Sequence, residues 1–393
     1  MKKILIANVG STSYKYTVYE ISQAMECREL YRGAAERVSD YDTAIADSLA
    51  DLSSRGLGAE KLDAVAFKTV MGGAVSGLRD ADAEVLKALD DMSYVAPAHN
   101  PPYAAAIRAF GRVLPSARRI VLFETSFYQW ADEAWKRYAV PRSWDAAGIR
   151  RCGFHGASHK YAAERVAELC GRADAAESAR RLYVDKGRAK LEKPFRMVNC
   201  HLGGSSSVCG ILNGAAVGSS MGFTPQSGLP QNNRVGDLDS MAIPFAMQRF
   251  GIDAEEAVRR LSKEGGLLGI SGVSNDMRDI KNAADEGNAD AKLAIDVLAY
   301  SARFYIGAFM AQMGGLDAVG FSGGIAENNP WLRAEILKPL ESFGLVVDGA
   351  KNAAMKKSEG VFSSENSTIK AVAVVANEEI VIAREAARYL EKF

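Results

Sequence analysis

The sequence predicts an α/β protein of two domains built on one plan, and three observations carry that expectation. The first is length: 393 residues are enough for about two domains, each with its own core. The second is a recurrence. Ile4-Leu5-Ile6-Ala7-Asn8 enters a glycine turn that leaves through Tyr16-Thr17-Val18-Tyr19, and Met197-Val198-Asn199-Cys200 enters another that leaves through Val208-Cys209-Gly210-Ile211, roughly 190 residues later. Duplication over so long a period points to two similar domains with a ligand between them. The third is the alternation of short apolar runs with helical spacing along the whole chain.

The turns themselves suggest the ligand. They read Asn8-Val9-Gly10-Ser11-Thr12-Ser13, His201-Leu202-Gly203-Gly204-Ser205-Ser206-Ser207 and Gly320-Phe321-Ser322-Gly323-Gly324-Ile325-Ala326-Glu327-Asn328. Glycine lets backbone N–H groups approach an anion, and Ser or Thr hydroxyls add donors. Hairpins use the same residues for purely conformational reasons, but three such turns, each after an apolar run, suggest a polyphosphate. The strand–loop–helix pattern ending in Gly-Lys-Ser/Thr, which marks a P-loop, is absent.

Composition narrows the class. Lys plus Arg and Asp plus Glu number 48 each, so the formal net charge is zero and no nucleic-acid or membrane-surface partner is expected from bulk charge. Cys27, Cys152, Cys170, Cys200 and Cys209 contain no C-x-x-C pair, and their odd number argues against a disulfide framework or a thiolate metal site. The apolar run Ile4–Ala7 is too short for a signal peptide, and no stretch of about 20 apolar residues is evident. The expectation is a soluble cytoplasmic protein.

Element by element, residues 1–21 read as a β-hairpin and Ala64–Phe67 as a short buried strand. Helical spacing covers Ala83–Leu89 and Tyr103–Phe110, the latter after Asn100-Pro101-Pro102. Arg119–Phe123 is a strand ending at Glu124-Thr125-Ser126, and the carboxyl end of a strand is where open α/β sheets place ligand groups. A helix over Ser158–Leu169 follows Gly153-Phe154-His155-Gly156. Residues 171–193 are rich in Ala, Arg, Lys and Glu without a clear apolar face, which predicts a surface insertion, part of it helical, rather than core. Met197–Gly218 forms a sheet with an Asn213-Gly214 hairpin turn. Helices are expected over Ser240–Phe250, Asp253–Lys263 and Ala289–Met313. Ala318–Ser322 is a buried strand, Asn329-Pro330 opens a helix, and Ile369–Val375 is a strand. Glu378–Lys392 is an amphipathic helix capped by Asn377, returning to the first domain.

Taken in order, these motifs resemble the acetate kinase family, short-chain acyl kinases of the actin, sugar-kinase and Hsp70 superfamily. The matching pieces are Asn8–Lys15, Ala96–Pro102, Gly153–His159, His201-Leu202-Gly203, Ser220–Pro225, Arg234–Asp237, Asp276–Asp279 and Asn377-Glu378-Glu379. The resemblance implies a two-domain actin-like ATPase fold, duplicated ribonuclease H-like domains with a cleft between them. Residues 1–148 plus 379–393 would form the N-terminal acyl kinase domain, and 149–378 the C-terminal nucleotide-binding domain. It implies a homodimer that moves the γ-phosphate of ATP, with Mg²⁺, to a small carboxylate and reversibly gives an acyl phosphate.

By the same resemblance the catalytic set is Arg234, His155, Glu124, Lys68 and Asn8, with Arg234 and His155 on the phosphoryl group. The nucleotide set is His201, Gly203, Gly204, Ser205, Asp276, Arg278, Gly323, Gly324, Glu327 and Asn328. Val70, Ala98, Phe154 and Pro225 match the acyl pocket, and Asn8 and Glu378 match Mg²⁺ positions. The chemistry suits these residue types. Phosphoryl transfer needs positioning and charge neutralisation more than a covalent nucleophile, and a carboxylate needs no base to activate it. Structural alternatives stand beside several of them. His99 and His159 fit a turn-stabilising hydrogen bond as well as a site. Glu378 and Glu379 complement a helix dipole. Asp276 and Arg278 fit a capped helix start and a solvated arginine, and Lys15 a surface lysine.

The chain also departs from the family pattern. An arginine is replaced by Lys68, which keeps the charge and loses the planar two-pronged donor. An aspartate is replaced by Glu124, a Gly-Thr pair by Asn232-Asn233, a Gly-Asn-Gly by Gly203-Gly204-Ser205, and a glycine by Ala326. Lys68 and Glu124 are expected to compensate for one another. Ala98 stands for a larger apolar residue, which predicts a roomier pocket favouring propionate or a larger acid. The alternative functions are a nucleotide-binding paralogue with little or no turnover, and a carboxylate kinase using another donor such as pyrophosphate.

Overall fold

The computed structural model describes every residue except Ser11, Ala98 and Phe393, so one residue of the first turn and one expected in the acyl pocket lie outside the described residues. Two compact units emerge, Met1–Gln129 with Asn377–Phe393, and Trp130–Ala376.

In the first unit the strands are β1 (Lys2–Val9), β2 (Ser13–Ile21), β3 (Cys27–Glu36), β4 (Ala64–Thr69), β5 (Leu78–Asp80) and β6 (Arg118–Phe123). Their sheet order is β3-β2-β1-β4-β6-β5. β1, β2 and β3 run antiparallel, β1, β4 and β6 run parallel, and β5 closes the edge antiparallel to β6. Ile4 to Ala7 and Ala64 to Phe67 are buried throughout, as expected of central strands covered on both faces. The helix Asn100–Val113 packs on β1, β4 and β6, and the last helix, Glu378–Lys392, packs on β1, β2 and β4. Glu379 faces the sheet, accepting from Thr17 Oγ1 at 2.9 Å and pairing with Arg32 at 3.0 Å. Asn377 Oδ1 accepts from Tyr19 Oη. The strand β3 and the helix Tyr41–Ser54 escaped the sequence reading, because β3 is mostly exposed and charged.

In the second unit the strands are β7 (Arg196–Leu202), β8 (Ser206–Leu212), β9 (Ala215–Ser219), β10 (Ala318–Ser322), β11 (Gly360–Val361) and β12 (Lys370–Ala373). Their order, β11-β12-β10-β7-β8-β9, repeats the first sheet strand for strand: an antiparallel meander, two parallel additions and an antiparallel edge. The duplication read from the two glycine turns therefore extends to the whole sheet. The Asn213-Gly214 turn joins β8 to β9 with both residues at positive φ, 51° and 79°, the geometry that a type I′ hairpin demands.

Two expectations are overturned here. Residues 171–193 are not a surface insertion. The helix Ala173–Asp185 buries Ala175, Ala176, Ala179 and Leu182 and packs on the helix Gly156–Leu169. The part-helical reading agrees with this helix; its apolar stripe consists mostly of alanines among charged neighbours, which is why its burial was not expected. The chain also does contain a segment long and apolar enough to cross a membrane, the helix Ala289–Met313. One side of it, including Ile295, Leu298, Ile306 and Phe309, forms the core of the second unit with Val198, Val208 and Phe321.

Candidate functional site

The second unit places its chemistry at the carboxyl ends of β7 and β10. The turn Gly203–Ser205 links β7 to β8, and Ser206 braces it by accepting from Gly203 N at 3.2 Å and donating to Gly203 O at 3.0 Å. Ser205 Oγ donates to Gln231 Oε1 at 2.7 Å, and Gln231 Nε2 donates to Pro225 O at 2.6 Å. Arg234 Nη1 donates to the same Gln231 oxygen at 3.3 Å and to Ser205 Oγ at 3.4 Å. Gln231 is buried and ties together three expected site residues, yet nothing in its sequence setting marks it. Burial pushes Arg234 down from the ordinary arginine value. Among the described residues no carboxylate lies within ion-pairing distance of it. A half-buried guanidinium without an acidic partner is a site for an exogenous anion.

Three histidines cluster in the same unit. His155 precedes the helix Gly156–Leu169 in a left-handed conformation, φ 57° and ψ 30°, which non-glycine residues adopt at a cost and which recurs at functional sites. Its ring centroid lies 4.4 Å from that of His201 and 6.3 Å from that of His159. His201 Nδ1 pairs with Ser158 Oγ at 2.8 Å, and Ser207 Oγ meets both His155 Nδ1 and His159 Nε2 at 2.8 Å. His159 is fully buried. Burial and the nearby His201 hold it well below the usual histidine range.

The expected nucleotide-end residues are more dispersed. Asp276 caps the helix Met277–Asp285 by accepting from Arg278 N, and Arg278, 84% exposed, folds back on the same carboxylate. This pairing, with the backbone hydrogen bond, pulls Asp276 down to about 2. Both residues thus have a complete structural explanation. Glu327 Oε1 accepts from Gly323 N and Ala376 N, each at 3.0 Å, so it braces the Gly323–Asn328 turn. Asn328 donates to Gly324 O and is half-buried.

The first unit gathers a separate set at the carboxyl ends of β1, β4 and β6. Lys68 Nζ lies 3.2 Å from Glu124 Oε1 and 2.5 Å from Glu378 Oε1. Burial alone would lower the lysine, but Glu378 and Glu124 carry it well above its ordinary value. Tyr103 Oη donates to Asn8 Oδ1 at 3.3 Å. Burial pushes that phenol up to about 12, Lys68 opposing and the two carboxylates reinforcing. Tyr103 is a site residue that the sequence reading took only for a helix position. Val70 follows β4 and is buried in this unit. Phe154 is buried, and Pro225 half-buried, in the other.

No group of three or more His, Cys, Asp or Glu is placed to hold a metal ion among the described residues. The oxygen donors Asn8, Glu124 and Glu378, gathered around Tyr103, nevertheless fit a Mg²⁺ that brings most of its shell as water and nucleotide phosphate.

Comparison with known proteins places this arrangement. The Acetokinase family model matches residues 32–384. An acetate kinase of Geobacillus sp. (strain WCH70) is 35% identical over 414 residues, covering 99% of both chains. The crystal structure of Porphyromonas gingivalis acetate kinase superposes with a TM-score of 0.86 at 30% identity, covering 99% of this chain and 100% of that one. A propionate kinase from Francisella tularensis superposes with a TM-score of 0.85 at 28% identity, covering 98% and 99%. The two-domain actin-like α/β fold is shared with these structures. The chain belongs to the acetokinase family, phosphotransferases with a carboxyl group as acceptor.

Proposed function

We propose that the chain moves the γ-phosphate of ATP to a small carboxylate such as acetate or propionate, reversibly forming an acyl phosphate. The observation that supports this most directly is Arg234, a half-buried guanidinium with no carboxylate partner, hydrogen-bonded to the hydroxyl of the phosphate-type turn at Ser205. Its positive charge neutralises charge on the phosphoryl group in flight, and the His155 ring offers that group a hydrogen bond. His201 and the Gly203-Gly204-Ser205 turn hold the nucleotide phosphates, with Asp276, Arg278 and the turn at Gly323 and Gly324 at the nucleoside end. The acceptor carboxylate attacks directly, and Phe154 and Pro225 of the second unit line its apolar part.

In the first unit Asn8 and Glu378 would hold Mg²⁺, which when bound would neutralise phosphate charge. Lys68 keeps Glu124 and Glu378 oriented while they remain ionised. The reading includes a homodimer. Tyr300 and Phe304 on the helix Ala289–Met313, with Met241, Phe245 and Phe250, are all more than 60% exposed, and apolar exposure on this scale commonly marks a protein interface.

Hydroxylamine trapping of acyl phosphate, with ATP or pyrophosphate as donor and C2 to C5 acids as acceptors, tests the reading. Turnover on the order of 1 s⁻¹ or more with ATP and one of these acids is expected. A sample that binds ATP and forms no hydroxamate would favour the second reading, nucleotide binding without turnover. One observation points that way: Lys68, the cation expected to meet the substrate, is held by Glu124 and Glu378.

A further inference from the structure

The histidine cluster of the second unit contains a hydrogen-bond chain whose direction follows atom by atom. Asn199, on β7, donates from Nδ2 to His159 Nδ1 at 2.9 Å and to Ser322 Oγ at 3.2 Å, so each amide hydrogen has an acceptor. Reversing the amide would aim both hydrogens at the position now held by Asn199 Oδ1, which has no hydrogen-bond partner. Two unmet buried donors cost more than one unmet acceptor. Buried and neutral, an imidazole that accepts at Nδ1 carries its one proton on Nε2. His159 therefore donates from Nε2 to Ser207 Oγ, 2.8 Å away. Ser207 could accept from both rings, but it is fully buried, and among the described residues its only other side-chain partner is His155 Nδ1, also at 2.8 Å, so its single hydroxyl hydrogen points there rather than going unmet. His155 then accepts at Nδ1, and its neutral ring holds its proton on Nε2.

We propose that Asn199, His159 and Ser207 are positioning residues that fix His155 as the Nε2–H tautomer, so that it meets the phosphoryl group as a hydrogen-bond donor. This rests on the reading of His155 as a phosphoryl contact. The logic lies in Ser207: one hydroxyl hydrogen cannot serve both rings, so the tautomers of His155 and His159 are linked. If His159 carried its proton on Nδ1, Ser207 would have to donate to His159 and accept from His155 Nδ1, which would strip His155 Nε2. The chain has two concerted states, and the amide of Asn199, a donor at this position, selects one. The buried part of the cluster thus determines whether His155 Nε2 acts as donor or acceptor toward an anion.

The test is a two-bond ¹H–¹⁵N correlation spectrum of the imidazoles at neutral pH. It is tractable because the chain has only 4 histidines, which single substitutions assign. His155 and His159 are both expected to show protonation at Nε2. Asn199→Asp puts an acceptor where the donor was, so both rings should switch to Nδ1–H, and kcat should fall roughly 100-fold, the scale of losing one transition-state donor, with KM for ATP nearly unchanged. Nδ1–H on both rings of the unaltered protein overturns the proposal, whatever His155 contacts. A switch to Nδ1–H in Asn199→Asp that leaves kcat unmoved overturns instead the assignment of His155 to the phosphoryl group. Should Asn199→Asp not fold, Ser207→Ala serves in its place. His159 should keep its tautomer while His155 becomes a mixture of both, and an unmoved His155 pattern overturns the link.

Discussion

Lys68 Nζ stands between two carboxylates, 3.2 Å from Glu124 Oε1 and 2.5 Å from Glu378 Oε1. The longer acid and the single-point ammonium are in direct contact, so they form one unit rather than two separate departures from the family pattern. Glu124→Asp alone withdraws the carboxylate by one methylene and should lower both stability and kcat. Lys68→Arg alone places a rigid fork against a carboxylate already close. The double variant should recover part of each loss, with a coupling of about 1 kcal/mol in thermal melts. Strict additivity would show that the two positions act independently. Lys68→Ala, which leaves two acids facing one another, should cost about 3 kcal/mol.

Arg234 is held in place by backbone as well as by Gln231. Gly266 has φ +62°, and a Cβ there would lie 2.1 Å from Gln231 O and 2.6 Å from Arg234 O. Gly266→Ala must therefore move the Gln231–Arg234 loop. The expected outcome is a stability loss of about 1–3 kcal/mol together with a fall in kcat on the order of 100-fold, because a displacement of about 1 Å is enough for that. Arg234→Ala should match the kinetic defect while melting near the unaltered protein. A Gly266→Ala enzyme of normal kcat would separate this loop from the chemistry.

The buried His159 makes a pH prediction. Its folded-state pKa lies well below the ordinary value, so below about pH 6.5 the unfolded chain takes up a proton that the folded chain refuses. Stability should fall as pH drops through that value, approaching about 1.4 kcal/mol per pH unit from this group. Urea melts at pH 7.5, 6.5 and 5.5 should show a steeper loss for the unaltered protein than for His159→Gln. Parallel slopes for the two would mean that His159 titrates normally.

The exposed apolar residues of the second unit make an assembly prediction. Tyr300 and Phe304 are 66% and 61% exposed on one helix, and Phe245 is 68% exposed on another, Ala242–Phe250. A charge placed on such a face is costly to bury. Phe304→Glu with Phe245→Glu should convert a dimer to a monomer in analytical ultracentrifugation without lowering the melting temperature of the second unit's core. A protein that sediments as a monomer before any substitution would remove this part of the reading.

Much of this architecture was legible in local residue patterns. Central strands such as Ile4–Ala7 and Ala318–Ser322 are uninterrupted apolar runs because parallel strands are covered on both faces. The Asn213-Gly214 turn announces itself because only a few residue types satisfy that backbone geometry. The repeated glycine turns gave away the duplication. Residues 171–193 misled because alanine marks an apolar face weakly among charged neighbours, although Ala175, Ala176, Ala179 and Leu182 form a buried stripe.

What the sequence by itself determined, then, was the elements, their pairing into two like sheets and the residue types fit for phosphate. What only the tertiary structure decided was which side chains meet. Lys68, Glu124 and Glu378 are separated by up to 310 residues, and Tyr103 and Asn199 acquire their roles from partners 40 or more residues away. Local pattern reports the period of burial along one segment. The partner of a polar atom depends on register and packing between segments, which no local window contains.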